Sequence, residues 1–85
     1  MSRREALIER VLSGKADRNI RFEELRGVLL YVGFDERIRG SHHIFSKTGV
    51  DEILNLQPRR GGMAKLYQVR QVRAVLVKYN RASEQ

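Results

Sequence analysis

Residues 39–62 hold the side chains whose types and order could do chemistry. They read Arg39-Gly40-Ser41-His42-His43-Ile44-Phe45-Ser46-Lys47, then Asp51 to Gln57, then Pro58-Arg59-Arg60-Gly61-Gly62. Both histidines of the chain are here, side by side. Histidine is the side chain whose unperturbed pKa puts proton exchange near neutrality. On a strand the two rings point to opposite faces, so one of them enters a given site. Cleaving an RNA backbone needs a base for the 2′-hydroxyl proton, an acid for the leaving oxygen and positive charge for the phosphate. A histidine suits the proton steps. Arg39, Arg59, Arg60 and Lys65 could supply the charge. Ser41 either meets a phosphate or caps the turn. The pair also has a plain structural reading, with one ring packed and one solvated.

Other chemistries fit less well. Two diverging rings and no cysteine make a poor metal site, and no cofactor is implied. Gly40-Ser41-His42 lacks the second glycine of a nucleophile elbow. Gly61-Gly62 matches no dinucleotide fingerprint, and without a following G-K-[ST] it is no P-loop.

The charge around this segment is uneven. The chain carries a net charge of +7. Residues 1–52 hold ten Lys/Arg against nine Asp/Glu, whereas residues 53–85 hold seven against one, Glu84. The excess therefore lies in the last third. Such a face suits a polyanion, because neutralising phosphates releases condensed counterions. Lys47, Arg70 and Arg73 join the candidate contacts. A solvated basic helix is the competing reading.

Eighty-five residues make one domain with a single modest core. The start, Met1-Ser2-Arg3-Arg4-Glu5, lacks the apolar run of a signal peptide. The longest apolar run, Val28 to Val32, is far short of the roughly 20 residues that span a bilayer. An intracellular, cytoplasmic protein with no membrane partner is the expectation.

The elements that must position the segment follow from periodicity. Leu7, Ile8, Val11 and Leu12 make one face of a helix over 3–12, stopped by Ser13-Gly14. Residues 15–21 read as a loop. Phe22, Leu25, Val28, Leu29 and Val32 mark a second helix, with Glu23 and Glu24 at its positive end and Gly33 after it. Phe34 to Ile38 is a short strand whose alternation Glu36 interrupts. His42 to Lys47 is a second strand, Thr48-Gly49 a turn, and Glu52 to Gln57 a third strand with Leu54 and Leu56 on one face and Asn55 and Gln57 on the other. Pro58 ends that strand because it cannot donate to a ladder. Arg59 to Gly62 reads as a mobile basic loop. Leu66, Val69, Val72, Leu76 and Tyr79 mark a last helix over about 64–79, before a tail from Asn80 to Gln85 that should fray.

The order predicts an α+β fold: α-β-β-β-α with an extra N-terminal helix, and a three-stranded antiparallel sheet packed on helices. Double-stranded-RNA-binding domains share that order, although order alone assigns no function. The segment Arg39 to Phe45, followed by Pro58 to Gly62 and a basic amphipathic helix, resembles the HicA toxin family. The likeness runs over roughly residues 22–80. It implies a double-stranded-RNA-binding-like fold and a ribosome-independent endoribonuclease, an mRNA interferase of a toxin–antitoxin pair. It also implies mRNA as substrate and a HicB-type antitoxin as partner. The family's catalytic histidine carries over to His42, after Gly-Ser, with His43 as the alternative. Many relatives carry a histidine after the proline, where this chain has Arg59. Residues 1–20 form an extension, helix and loop, to a core over 21–80. A non-catalytic RNA-binding module of the same fold is the other expectation.

Overall fold

Each helix is fixed by signals at its ends. In the computed structural model, which describes the backbone of residues 2–83 and the side chains of residues 2–79, α1 spans Arg3–Ser13. The Ser2 hydroxyl accepts from the Glu5 N–H at 3.1 Å, filling one orphan donor of the first turn. Gly14 closes the helix at φ +72°, where a side chain would be strained. A single 3-10 turn, Asp17–Asn19, interrupts the expected loop. The next helix, α2, spans Phe22–Tyr31. The Arg21 N–H donates to Glu24 Oε1 at 2.9 Å, so Glu24 reaches back over the helix start. At the other end the N–H groups of Gly33 and Phe34 cap the carbonyls of Leu30 and Leu29.

Three antiparallel strands follow: β1 Asp35–Arg39, β2 His42–Lys47 and β3 Val50–Leu56, in the order β1-β2-β3. Gly40-Ser41 joins the first two with Arg39 directly opposite His42. Gly40 has φ +59° and Ser41 is not in the positive region. Glycine in the first position of a two-residue turn is the II′ pattern that suits the twist of a hairpin. Between β2 and β3 the register shifts once, between Phe45 and Lys47.

The last helix, α3, spans Leu66–Ser83 and packs on β3 and on α1. Facing the helices, the sheet presents Phe45, Leu54 and Leu56. They bury with Leu25, Val28 and Leu29 of α2 and with Val69, Val72 and Val75 of α3. Val11 and Ile20, from the N-terminal extension, lie in the same cluster. Extension and core therefore share one interior. Burying Val11 alone is worth about 1.5 kcal/mol.

Several boundaries differ from the sequence expectation. The first strand runs Asp35–Arg39, one residue later than expected, because Phe34 is buried in the core between the Val32-Gly33 turn and the ladder. Glu36 does not break the sheet pattern from the wet side. It faces the helices and is held there by ion pairs. The third strand begins earlier, at Val50. The last helix begins at Leu66 and continues to Ser83, through most of the stretch expected to fray, and residues 84–85 lie outside the described residues. Among the described residues no helix is long and apolar enough to cross a membrane.

Candidate functional site

The II′ turn and the alternation of β2 decide where each histidine goes. His42 is exposed and shares the open face of the sheet with Arg39, which is paired opposite it. Residues directly opposite on neighbouring strands have Cβ atoms about 5 Å apart, so this pairing sets a guanidinium stem beside the ring. On the other side of His42, Asn55 of β3 lies on the diagonal. Its Oδ1 is 3.0 Å from His42 Nδ1. An amide oxygen only accepts, so the tautomer that satisfies this contact carries its proton on Nδ1 and its lone pair on Nε2. The Asn55 amide thus orients an otherwise exposed ring on the open face.

His43 points the opposite way and does different work. It is half-buried, its ring edge-on to Phe22 at 4.8 Å between centroids. Its Nδ1–H donates to Glu36 Oε2 at 2.7 Å. Glu36 also accepts from Arg26 Nε at 2.6 Å and from a terminal nitrogen of the same guanidinium at 2.7 Å. The Arg26 guanidinium holds the Glu36 carboxyl below the usual carboxylate range, with help from His43 and against burial. The same pairing raises Arg26. This triad ties β1 and β2 to α2. The two rings thus sit on opposite faces, and no reaction on one face can use both.

A polar chain continues from the His42 turn toward α3. Gln57 Nε2 donates to Ser41 Oγ at 2.8 Å, and Lys65 Nζ lies 3.5 Å from Gln57 Oε1. The Gln57 backbone N–H donates to the buried amide of Gln68 at 3.3 Å. Ser41 therefore keeps its hydroxyl at the turn tip, bonded but exposed. Tyr67, 61% exposed, stands next to Gln68, whose Nε2 donates to the Tyr67 hydroxyl at 3.2 Å.

Arg59 and Arg60 are exposed on the loop that enters α3. That loop is not free. The Arg59 N–H donates to the Met63 carbonyl, the Gly62 N–H to that of Arg59, and the Gly62 carbonyl accepts from the Phe22 N–H. An isolated bridge pairs Arg21 with Met63, and the Ala64 N–H donates to Ile20. The turn needs Gly61 and Gly62 because both sit at φ above +80°.

The structure separates the remaining basic candidates. Arg39, Ser41, His42 and Lys65 gather at one end of the sheet, with Arg59 and Arg60 on the adjoining loop. Lys47 is elsewhere: its Nζ donates to the Val32 carbonyl at the end of α2 and lies over the Phe34 ring. Arg73 is taken up by Asp17, at 2.9 and 3.1 Å, and by the Val11 carbonyl at 3.0 Å. Arg70 is exposed on α3, toward the extension. The sequence reading missed three groups. Asn55 and Gln57 were legible as open-face residues, but the partner of each depends on register. Tyr67 carried no signal beyond being an aromatic outside the buried stripe.

No family model, curated protein or solved structure matches this chain.

Proposed function

We propose that the protein is a HicA-type toxin, an endoribonuclease that cleaves mRNA, with His42 as its proton-transfer group. The observation that supports this reading most directly is the exposed His42 ring, its Nδ1 held by Asn55 and a guanidinium paired across from it. In the proposed reaction Nε2 takes the 2′-hydroxyl proton. The 2′-oxygen attacks the adjacent phosphorus and the bond to the 5′-oxygen breaks. A 2′,3′-cyclic phosphate and a 5′-hydroxyl result, the latter protonated by the imidazolium or by solvent. Arg39, paired across from His42, and Lys65, within reach of Gln57, would supply positive charge to the five-coordinate phosphate, with Arg59 and Arg60 on the adjoining loop. Tyr67 offers a ring on which a base could stack.

The second reading, an RNA-binding module without cleavage, is favoured by one observation. The open face carries a single histidine, so no second imidazole serves as acid. One experiment separates the two. Purified parent, His42→Ala, His43→Ala and Asn55→Ala proteins are assayed for RNA cleavage and thermal unfolding. The parent cleaves, and His42→Ala loses about 10²-fold or more, the usual weight of a general base, without unfolding. Asn55→Ala falls between. His43→Ala lowers the melting temperature and keeps cleavage. A His42→Ala protein as active as the parent removes the assignment, and a parent that binds RNA without cutting it leaves the binding module.

A further inference from the structure

The cleft between the end of α1, the 3-10 turn and the start of α3 is lined by Lys15, Asp17, Arg18, Asn19, Leu66 and Arg70. Three of these are cations, all exposed and in no ion pair among the described residues. The only acid in the lining is Asp17, and both of its oxygens face the Arg73 guanidinium. Its charge is already matched within the fold and opposes no incoming anion. Like charges gathered around one hollow repel one another, and an anion in that hollow relieves the repulsion. We infer that the N-terminal extension supplies a second phosphate-binding subsite for RNA, formed by Lys15 and Arg18 with Arg70.

The first turn of α3 lies between the subsite and the polar chain that leads to the His42 turn. Leu66 and Arg70 share one face of α3 at i and i+4, and that face looks into the cleft. Lys65 immediately precedes Leu66 and reaches Gln57, which bonds Ser41 beside His42. From Lys65 to Arg70 the helix rises only about 7.5 Å. Lys65 and Arg70 are also roughly 140° apart around the helix, so a single strand held at His42 reaches the cleft by winding across the first turn of α3. The ligand is the sugar–phosphate backbone, read by charge and without base selectivity. The inference rests on the RNA reading of the His42 site, and it gives the extension a role in that site's substrate grip.

The test measures affinity for a fluorescent single-stranded RNA across a salt series, in a His42→Ala background so that the probe stays intact. Lys15→Ala/Arg18→Ala is compared with Arg3→Ala/Arg4→Ala, which removes the same charge at the far end of α1. The first pair makes the slope of log K against log salt shallower by about 1.4, at about 0.7 per phosphate contact on a single strand. The second pair leaves the slope unchanged. Lys15→Gln/Arg18→Gln repeats the first result with the side-chain stems largely kept, and unchanged melting temperatures show that each variant is folded. An unaltered slope in the first pair, or an equal change in both, overturns the subsite while the parent's cleavage still supports the His42 reading. A parent that binds RNA without cutting it, and whose slope the first pair still flattens, supports the subsite and sinks the nuclease. No RNA affinity at low salt overturns both.

Discussion

Glu36 shows how a charge is made safe on an apolar face. Its side chain is 8% exposed, yet it accepts three hydrogen bonds, two from Arg26 and one from His43. Breaking a buried pair by removing one partner leaves the other charge uncompensated, a larger effect than the net worth of the pair. Glu36→Gln should therefore destabilise the fold by about 1–2 kcal/mol near neutral pH, less than the roughly 3–5 kcal/mol of a fully buried pair, because Arg26 is 30% exposed and keeps Glu23 as a second partner at 3.1 Å. The sign with pH follows from the lowered pKa. A carboxylate whose folded pKa lies below its unfolded value contributes stability above the unfolded value and loses it as pH falls through the folded one. The parent and Glu36→Gln should thus differ most in melting temperature above about pH 5 and converge in acid. A gap that stays constant from neutral to acid pH would refute the coupling.

At the scale of elements, α3 divides its arginines by face. Arg73 binds Asp17 and the Val11 carbonyl, so it fastens α3 to both α1 and the 3-10 turn. Arg70, one turn earlier, is exposed and makes no ion pair among the described residues. Two nearby residues of the same type therefore predict opposite phenotypes. Arg73→Ala should lower stability by about 1.5–3 kcal/mol, the weight of a charge-assisted hydrogen bond, and leave the salt slope of RNA binding alone. Arg70→Ala should leave the melting temperature within error and flatten that slope by about 0.7. Chemical denaturation and a salt titration on both proteins check this pair, and exchanged phenotypes would contradict it.

For the molecule as a whole, the distribution of charge sets which partners the proposed function can engage. The protein carries +7, and the basic groups outside the internal ion pairs include Arg39, Arg59, Arg60, Lys65 and Arg70 among the described residues. A protein partner that silences the His42 site must cover this basic end, so its contact surface should be acidic. On the proposed toxin reading, co-expression with a small acidic protein encoded by a neighbouring gene is expected to yield a complex and restore growth. Persistent growth arrest with no complex would remove that partner. Raising salt should speed dissociation less than it slows encounter, because charge at the rim mainly steers association.

Local patterning along the chain was enough to specify the elements and their order. Apolar spacing in Phe22 to Val32 and in Leu66 to Tyr79 is helical, and Leu54 and Leu56 alternate with Asn55 and Gln57 in the manner of a half-wet strand. Periodicity reports which side of an element is buried, and burying apolar surface is the largest favourable contribution to folding. It also put His42 and His43 on opposite faces, since alternation is local. Which face was which, and what each ring met, depended on register and on helix placement. Asn55 reaches His42 because Ile44 pairs with Asn55, a fact of two strands that neither strand contains. Glu36 looked like a break in a strand because its partners, Arg26 and His43, come from other elements. The same holds for basic residues. Arg70 and Arg73 are alike in composition, and only the position of Asp17, more than fifty residues away in the chain, turns one into a structural tie and leaves the other exposed and outside the ion pairs of the described residues. Charge counts carry the sum, whereas tertiary packing decides which charges are already matched inside the fold.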